Sequence, residues 1–108
     1  MGDDAALGAF EEQVMLAVVH AGAEAFGMNV RREIEQRTGR DVAIGAVYAT
    51  LDRLESKKLI TSARTRGSGT SRRVFRITAV GARALVETRT RREMLWSGIT
   101  LPLNGLRG

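Results

Sequence analysis

The stretch AIGAVYATLDRLESKKLITSARTRGSGTSRRVFRIT, residues 43–78, decides the fold. Its first part is helical by spacing: Ile44, Val47, Leu51 and Leu54 recur at steps of three and four, so they form one apolar stripe facing a core. The other face carries Gly45, Ala46, Tyr48, Ala49, Thr50 and Arg53. Small side chains at 45, 46 and 49 keep that face thin and let the backbone approach a partner closely, while Tyr48, Thr50 and Arg53 supply hydrogen-bonding groups. Such a face suits insertion into a DNA groove.

After this helix, residues 59–65 are rich in β-branched side chains and lack a helical period, and residues 74–78 alternate, with Phe75 and Ile77 on one side. Both segments read as strands. Between them, residues 66–71 hold two glycines free to take positive φ and no apolar side chain to bury, which predicts a hairpin tip projecting into solvent. From Lys57 through Val86 there are Lys57, Lys58, Arg64, Arg66, Arg72, Arg73, Arg76 and Arg83 and no Asp or Glu, a local balance of +8. Residues 1–30 hold Asp3, Asp4, Glu11, Glu12 and Glu24 and no Lys or Arg, a balance of −5. Like charges crowded on a solvated hairpin repel, so an unrelieved basic stretch implies an acidic partner such as phosphate.

The 108 residues suffice for one domain with a single modest core and leave little surface for a catalytic cleft. The net charge of +5 agrees with a polyanion partner, and of 17 basic residues only Lys57 and Lys58 are lysines. Arginine suits phosphate and guanine because its planar fork pairs with them bidentately. The absence of cysteine excludes disulfides and thiolate metal sites. His20, the sole histidine, falls at the end of the first helical pattern, where the helix C-terminus accounts for it. No carboxylate cluster, nucleophile with a neighbouring base or phosphate-binding loop followed by a helix and lysine is visible, so neither an enzyme nor a cofactor is expected. The acidic N-terminus and the short apolar run from Val14 to Val19 predict a cytoplasmic protein that does not engage a membrane.

Leu7, Phe10, Val14, Ala17, Val18 and Ala21 keep the helical period, and Met15, Leu16 and Val19 widen the stripe until it is apolar nearly all round. This predicts a first helix buried on up to two sides. Asn29 is positioned to cap a second helix, with Val30 and Ile34 inward and its end near Gly39. Thr78 is positioned to cap a last one, from Ala79 to about Ser97, with Leu85, Val86, Leu95, Trp96 and Ile99 as its large apolar residues. The fold class is therefore mainly α with a small β-hairpin. Residues 1–78 are expected to form a winged helix-turn-helix DNA-binding domain, 79–99 a C-terminal dimerisation helix, and 100–108 an irregular tail. In this plan the second helix of the pair enters the major groove and the first crosses the backbone, which places Arg31 or Arg32 near phosphate.

At GAVYATLDRLE, residues 45–55, followed by Leu59-Ile60 and by RVFRITAVG at 73–81, the chain resembles the PadR family of bacterial transcriptional regulators. The resemblance implies a homodimeric, usually repressing DNA-binding protein, with its dimer interface on the C-terminal helix and, in some members, a ligand at or near that interface. It places Tyr48 and its helix neighbours on DNA and Arg72 and Arg73 on the wing. One departure is Lys57-Lys58, which stands where such proteins often show a glycine before the Leu-Ile pair.

The expected DNA-binding residues are Arg31; Gly45, Ala46, Tyr48, Ala49, Thr50 and Arg53 on the recognition helix; and Arg64, Arg66, Arg72 and Arg73 on the wing. If Arg72 and Arg73 both neutralise phosphates, removing the pair lowers the salt slope of binding by about 2. Leu85, Leu95, Trp96 and Ile99 are the expected dimer contacts, because a tryptophan on a terminal helix needs something to bury against. A small hydrophobic or aromatic effector stacked on Trp96 is the weaker reading of that residue. The partners expected are thus double-stranded DNA and a second copy of the chain. The alternative functions are a protein-interaction module docking an acidic protein and a non-specific architectural DNA binder on the same scaffold.

Overall fold

The computed structural model describes residues 7–65 and 71–103. The helices are α1 (Ala9–Ala21), α2 (Gly27–Thr38), α3 (Ile44–Ser56) and α4 (Ala79–Trp96), with a short 3-10 turn at Gly22–Glu24. Strands β1 (Ile60–Arg64) and β2 (Arg73–Ile77) pair antiparallel, with Ser62 opposite Phe75 and Arg64 opposite Arg73. Of the predicted hairpin tip, residues 66–71, all but Ser71 lie outside the described residues, Arg66 among them.

Helices α1, α2 and α3 enclose the core with the hairpin as its lid. Val14, Met15 and Val18 of α1, Val30 and Ile34 of α2, Val47, Leu51 and Leu54 of α3, and Ile60 and Phe75 of the hairpin are all buried. Each such side chain stabilises the fold by about 1.5–3 kcal/mol, so this cluster is the main source of stability. On α1 only one face is buried; Leu16 and Val19 are exposed, against the expectation of burial on two sides. Helix α2 begins two residues before Asn29, with Phe26 at its N-cap. The Asn29 side chain instead donates to the Glu24 carbonyl at 2.8 Å, closing the preceding turn. A tight contact makes that early start feasible: the ring of Tyr48 lies on Gly27, where any Cβ would collide with it.

The α3–β1 junction fixes the rest of the chain. Leu59 N–H donates to the Leu54 carbonyl at 3.0 Å and Lys58 N–H to the Glu55 carbonyl at 2.9 Å, the paired bonds of a Schellman motif. Lys58 therefore takes φ of 64°, the left-handed position that favours glycine. The Leu59 carbonyl then accepts from the Thr78 N–H at 3.1 Å, while the Thr78 hydroxyl lies 2.8 Å from the Lys58 carbonyl and 3.1 Å from that of Leu59. Thr78 Oγ1 caps α4 by accepting from Gly81 N–H at 3.0 Å, as the sequence implies. Gly81 also has to be glycine, because a Cβ there would strike the Leu59 carbonyl. On its other side β2 is pinned by one bond, from Phe75 N–H to the Ala25 carbonyl at 3.0 Å.

Helix α4 leaves this junction and touches the domain with its first half, where Gly81 and Ala84 are buried. Arg92 donates to Glu12 of α1 at 2.6 Å, and residues beyond it are exposed. The projecting helix stretches the molecule to 56 × 36 × 20 Å.

Replacing Lys58 by glycine removes the left-handed strain, partly offset by the greater freedom of glycine in the unfolded chain. Lys58→Gly is expected to raise stability by about 0.5–1 kcal/mol in urea unfolding, whereas Lys58→Ala gives no comparable gain.

Candidate nucleic-acid interface

Gly45, Ala46 and Ala49 are exposed on α3, as expected, and Tyr48 is 40 % exposed beside them. Thr50 departs from the expected face: it is 3 % exposed and belongs to the core side. The reason is helical geometry, since Thr50 lies three residues after Val47 and four before Leu54, on the flank of the apolar stripe. Arg53 is half exposed and anchored, its Nε donating to Glu11 Oε2 at 3.2 Å.

Glu11 is a buried carboxylate linking two helices. It caps α1 by accepting from Gly8 N–H at 2.9 Å, and it accepts from Lys57 Nζ at 2.9 Å as well as from Arg53. Burial pushes its carboxyl up, but the Gly8 N–H and the Lys57 and Arg53 cations together outweigh this and hold it below its usual range. Glu35 does similar work in the helix-turn-helix turn. It accepts from Val42 N–H at 2.9 Å and from Arg31 Nε at 3.3 Å, and the Val42 hydrogen bond, reinforced by Arg31, lowers its carboxyl against desolvation. Arg31, expected at phosphate, is thus paired within its own helix.

The wing arginines divide in the same way. Arg73 shares the inward side of β2 with Phe75 and Ile77; its guanidinium stacks 4.8 Å over Phe75, pairs with Glu55 at 2.7 Å and reaches Asp52 at 3.3 Å. Arg72 points the other way, with its guanidinium 4.7 Å over the Phe26 ring. Among the described residues the Arg64 side chain donates to Ser71 Oγ at 3.5 Å, and Arg32 donates to Asn29 Oδ1 at 2.9 Å. Among the described residues, Arg32, Arg64 and Arg72 pair with no carboxylate. They rim a groove of about 640 Å³ floored by Phe26 and Tyr48, between the start of α2, the exposed face of α3 and the wing.

The basic run read from the sequence is therefore partly balanced in space. Glu11 answers Lys57, and Asp52 and Glu55 answer Arg73. Arg32 could have been singled out by spacing, because Arg31 has Glu35 four residues on whereas Arg32 has the neutral Gln36. Strand alternation likewise places Arg73, not Arg72, with Phe75. The bracing by Glu11 is a contact between distant segments and left no local signal. At the dimer residues, Leu85 is half-buried against the chain's own core, while Leu95, Trp96 and Ile99 are 79 %, 56 % and 52 % exposed.

A helix pair with a thin exposed second helix, followed by a basic antiparallel hairpin, defines a winged helix-turn-helix protein. The sequence profile of the transcriptional regulator PadR-like family matches residues 15–87. The chain is 38 % identical over 84 residues to transcriptional regulator Rv3488 of Mycobacterium tuberculosis, covering 76 % of this chain and 78 % of that protein. Its fold resembles the crystal structure of a PadR family transcriptional regulator from Eggerthella lenta, with TM-score 0.66, 27 % identity and coverage of 79 % and 75 %. It also resembles that of a PadR-like transcriptional regulator from Bacillus cereus, with TM-score 0.71, 22 % identity and 94 % of each chain covered. The chain belongs to the PadR-like family, whose members are transcriptional regulators and not enzymes.

Because the Glu11 carboxyl lies below its ordinary value of 4.5, its contribution to stability is complete above that pH and is lost as pH falls through the lower, folded-state value. Glu11→Gln is expected to cost about 1–3 kcal/mol at pH 7 in urea unfolding, and the gap to the parent protein should narrow below about pH 4.

Proposed function

We propose that this regulator is a homodimeric repressor that places α3 of each copy in the major groove of an inverted-repeat DNA operator. The observation that carries the reading is the adjoining pair of surfaces on one side of the molecule: the small-residue face of α3, and the groove rimmed by Arg32, Arg64 and Arg72. The first admits close approach to base edges, favouring methyl and shape contacts. The second supplies cations with no carboxylate among the described residues to neutralise them, so phosphate takes that role. Arg53 and Arg31, already paired, contribute to register more than to affinity.

The features that support dimerisation lie on α4. One face of the helix carries Leu85, Thr88, Arg92 and Leu95, and Ile99 follows just beyond the helix end at Trp96. The first three lie toward the chain's own core and α1, while Leu95, Trp96 and Ile99 continue past it with no cover among the described residues. A second copy would cover them, with Leu16 and Val19 of α1 as further contacts. Trp96 is the residue on which a small hydrophobic or aromatic effector would stack at that interface. Two-fold symmetry then requires half-sites centred about 10 base pairs, or a multiple, apart.

Selection of bound fragments from a random double-stranded DNA pool at about 0.15 M salt is expected to return one inverted repeat. Unbiased recovery would indicate an architectural binder, and no recovery would redirect the search to acidic protein partners. On the selected operator, Arg72→Ala should lower the salt slope by about 1, and the fall of about 2 expected if Arg73 also met phosphate should not appear in the double variant.

A further inference from the structure

We propose that Glu55 is a positioning residue for DNA binding, an acidic side chain whose loss weakens the affinity of the protein for a polyanion. The inference rests on the DNA-binding reading above. Glu55 projects from the last turn of α3 toward the base of the wing. Its Oε2 accepts from Ser62 N–H at 3.1 Å and from Ser62 Oγ at 2.8 Å, and its Oε1 accepts from Arg73 at 2.7 Å. Ser62 and Phe75 face each other in the hairpin, yet neither uses its N–H on the other: Phe75 donates to Ala25 and Ser62 to Glu55. The carboxylate thus occupies the open edge of β1 as a neighbouring strand would.

One side chain therefore grips both strands of the wing, and it does so from the helix whose other face is offered to DNA. The grip is tightened by Arg73, whose guanidinium lies 4.8 Å over the Phe75 ring and cannot swing out without losing that contact. Asp52 takes a lesser part: it is 64 % exposed and its bond to Arg73 is 3.3 Å. The direction of the wing, and with it the position of Arg64 and Arg72, is in this account set from α3, so recognition helix and wing engage DNA as one body.

Long-range charge and positioning predict opposite signs. Deleting an acidic charge beside a DNA-binding surface ordinarily tightens binding. Glu55→Gln should instead weaken operator binding by about tenfold, with a reduced salt slope, at a melting temperature that keeps the protein folded during the titration. Glu55→Asp retains the charge but shortens its reach, and should fall between the two. Asp52→Asn should bind as tightly as the parent or up to about threefold tighter.

Equal or tighter binding by Glu55→Gln would overturn the proposal, as would full binding by Glu55→Asp should the glutamine variant not fold. Hydrogen exchange at Ser62 N–H separates this failure from a failure of the DNA reading. Faster exchange in Glu55→Gln or Glu55→Asp is expected whether or not the protein binds DNA, and unchanged protection would show that no brace exists.

Discussion

Four elements meet at the carbonyl of Leu59. Helix α3 ends just before it in a left-handed turn, β1 begins just after it, and the end of β2 and the start of α4 are tied to it through Thr78. Gly81 brings α4 so close to this oxygen that no side chain fits between. The direction in which α4 leaves the domain is set by this crowded junction together with the packing of Ala84 and Leu85 and the Arg92–Glu12 pair. In the proposed dimer that direction fixes how far apart the two α3 helices lie, and hence which half-site spacing the protein reads. The junction is built around a lysine in a conformation suited to glycine, which places a strained residue between recognition helix and wing.

A second constraint acts on charge. Three carboxylates, Glu11, Glu35 and Glu55, each accept from a backbone N–H as well as from a cation. Each ties together segments that the hydrophobic core leaves free to slide: α1 to α3, α2 to the turn, α3 to the wing. Their partners, Arg53, Lys57, Arg31 and Arg73, are arginines and a lysine that composition alone would assign to DNA. Of the cations with no carboxylate partner among the described residues, Arg32, Arg64 and Arg72 gather at one groove. The sorting of cations into braces and contacts distinguishes this surface from a uniformly basic one.

Much of this was legible in the sequence. Element order, the stripe on α3, the Thr78 cap and the inward side of β2 follow from periodicities of 3.6 and 2 that the structure respects. The misplaced features have separate causes. Asn29 closes the preceding turn, and α2 starts two residues earlier, at Gly27, on which Tyr48 packs. Thr50 went to the core because the apolar stripe is wider than its four large residues. Leu85 found cover within its own chain. The pairing of Arg53 and Lys57 with Glu11 spans more than forty residues and has no signature in spacing.

In the proposed repressor α4 joins two copies, since a lone α3 would read half an operator and leave Leu95, Trp96 and Ile99 exposed. Sedimentation equilibrium of the full chain without DNA is the most direct test. Twice the chain mass at micromolar concentration, reduced to a single chain mass by Leu95→Asp, is the result predicted. A parent protein that remains a monomer through that range and binds one operator as a monomer would contradict it.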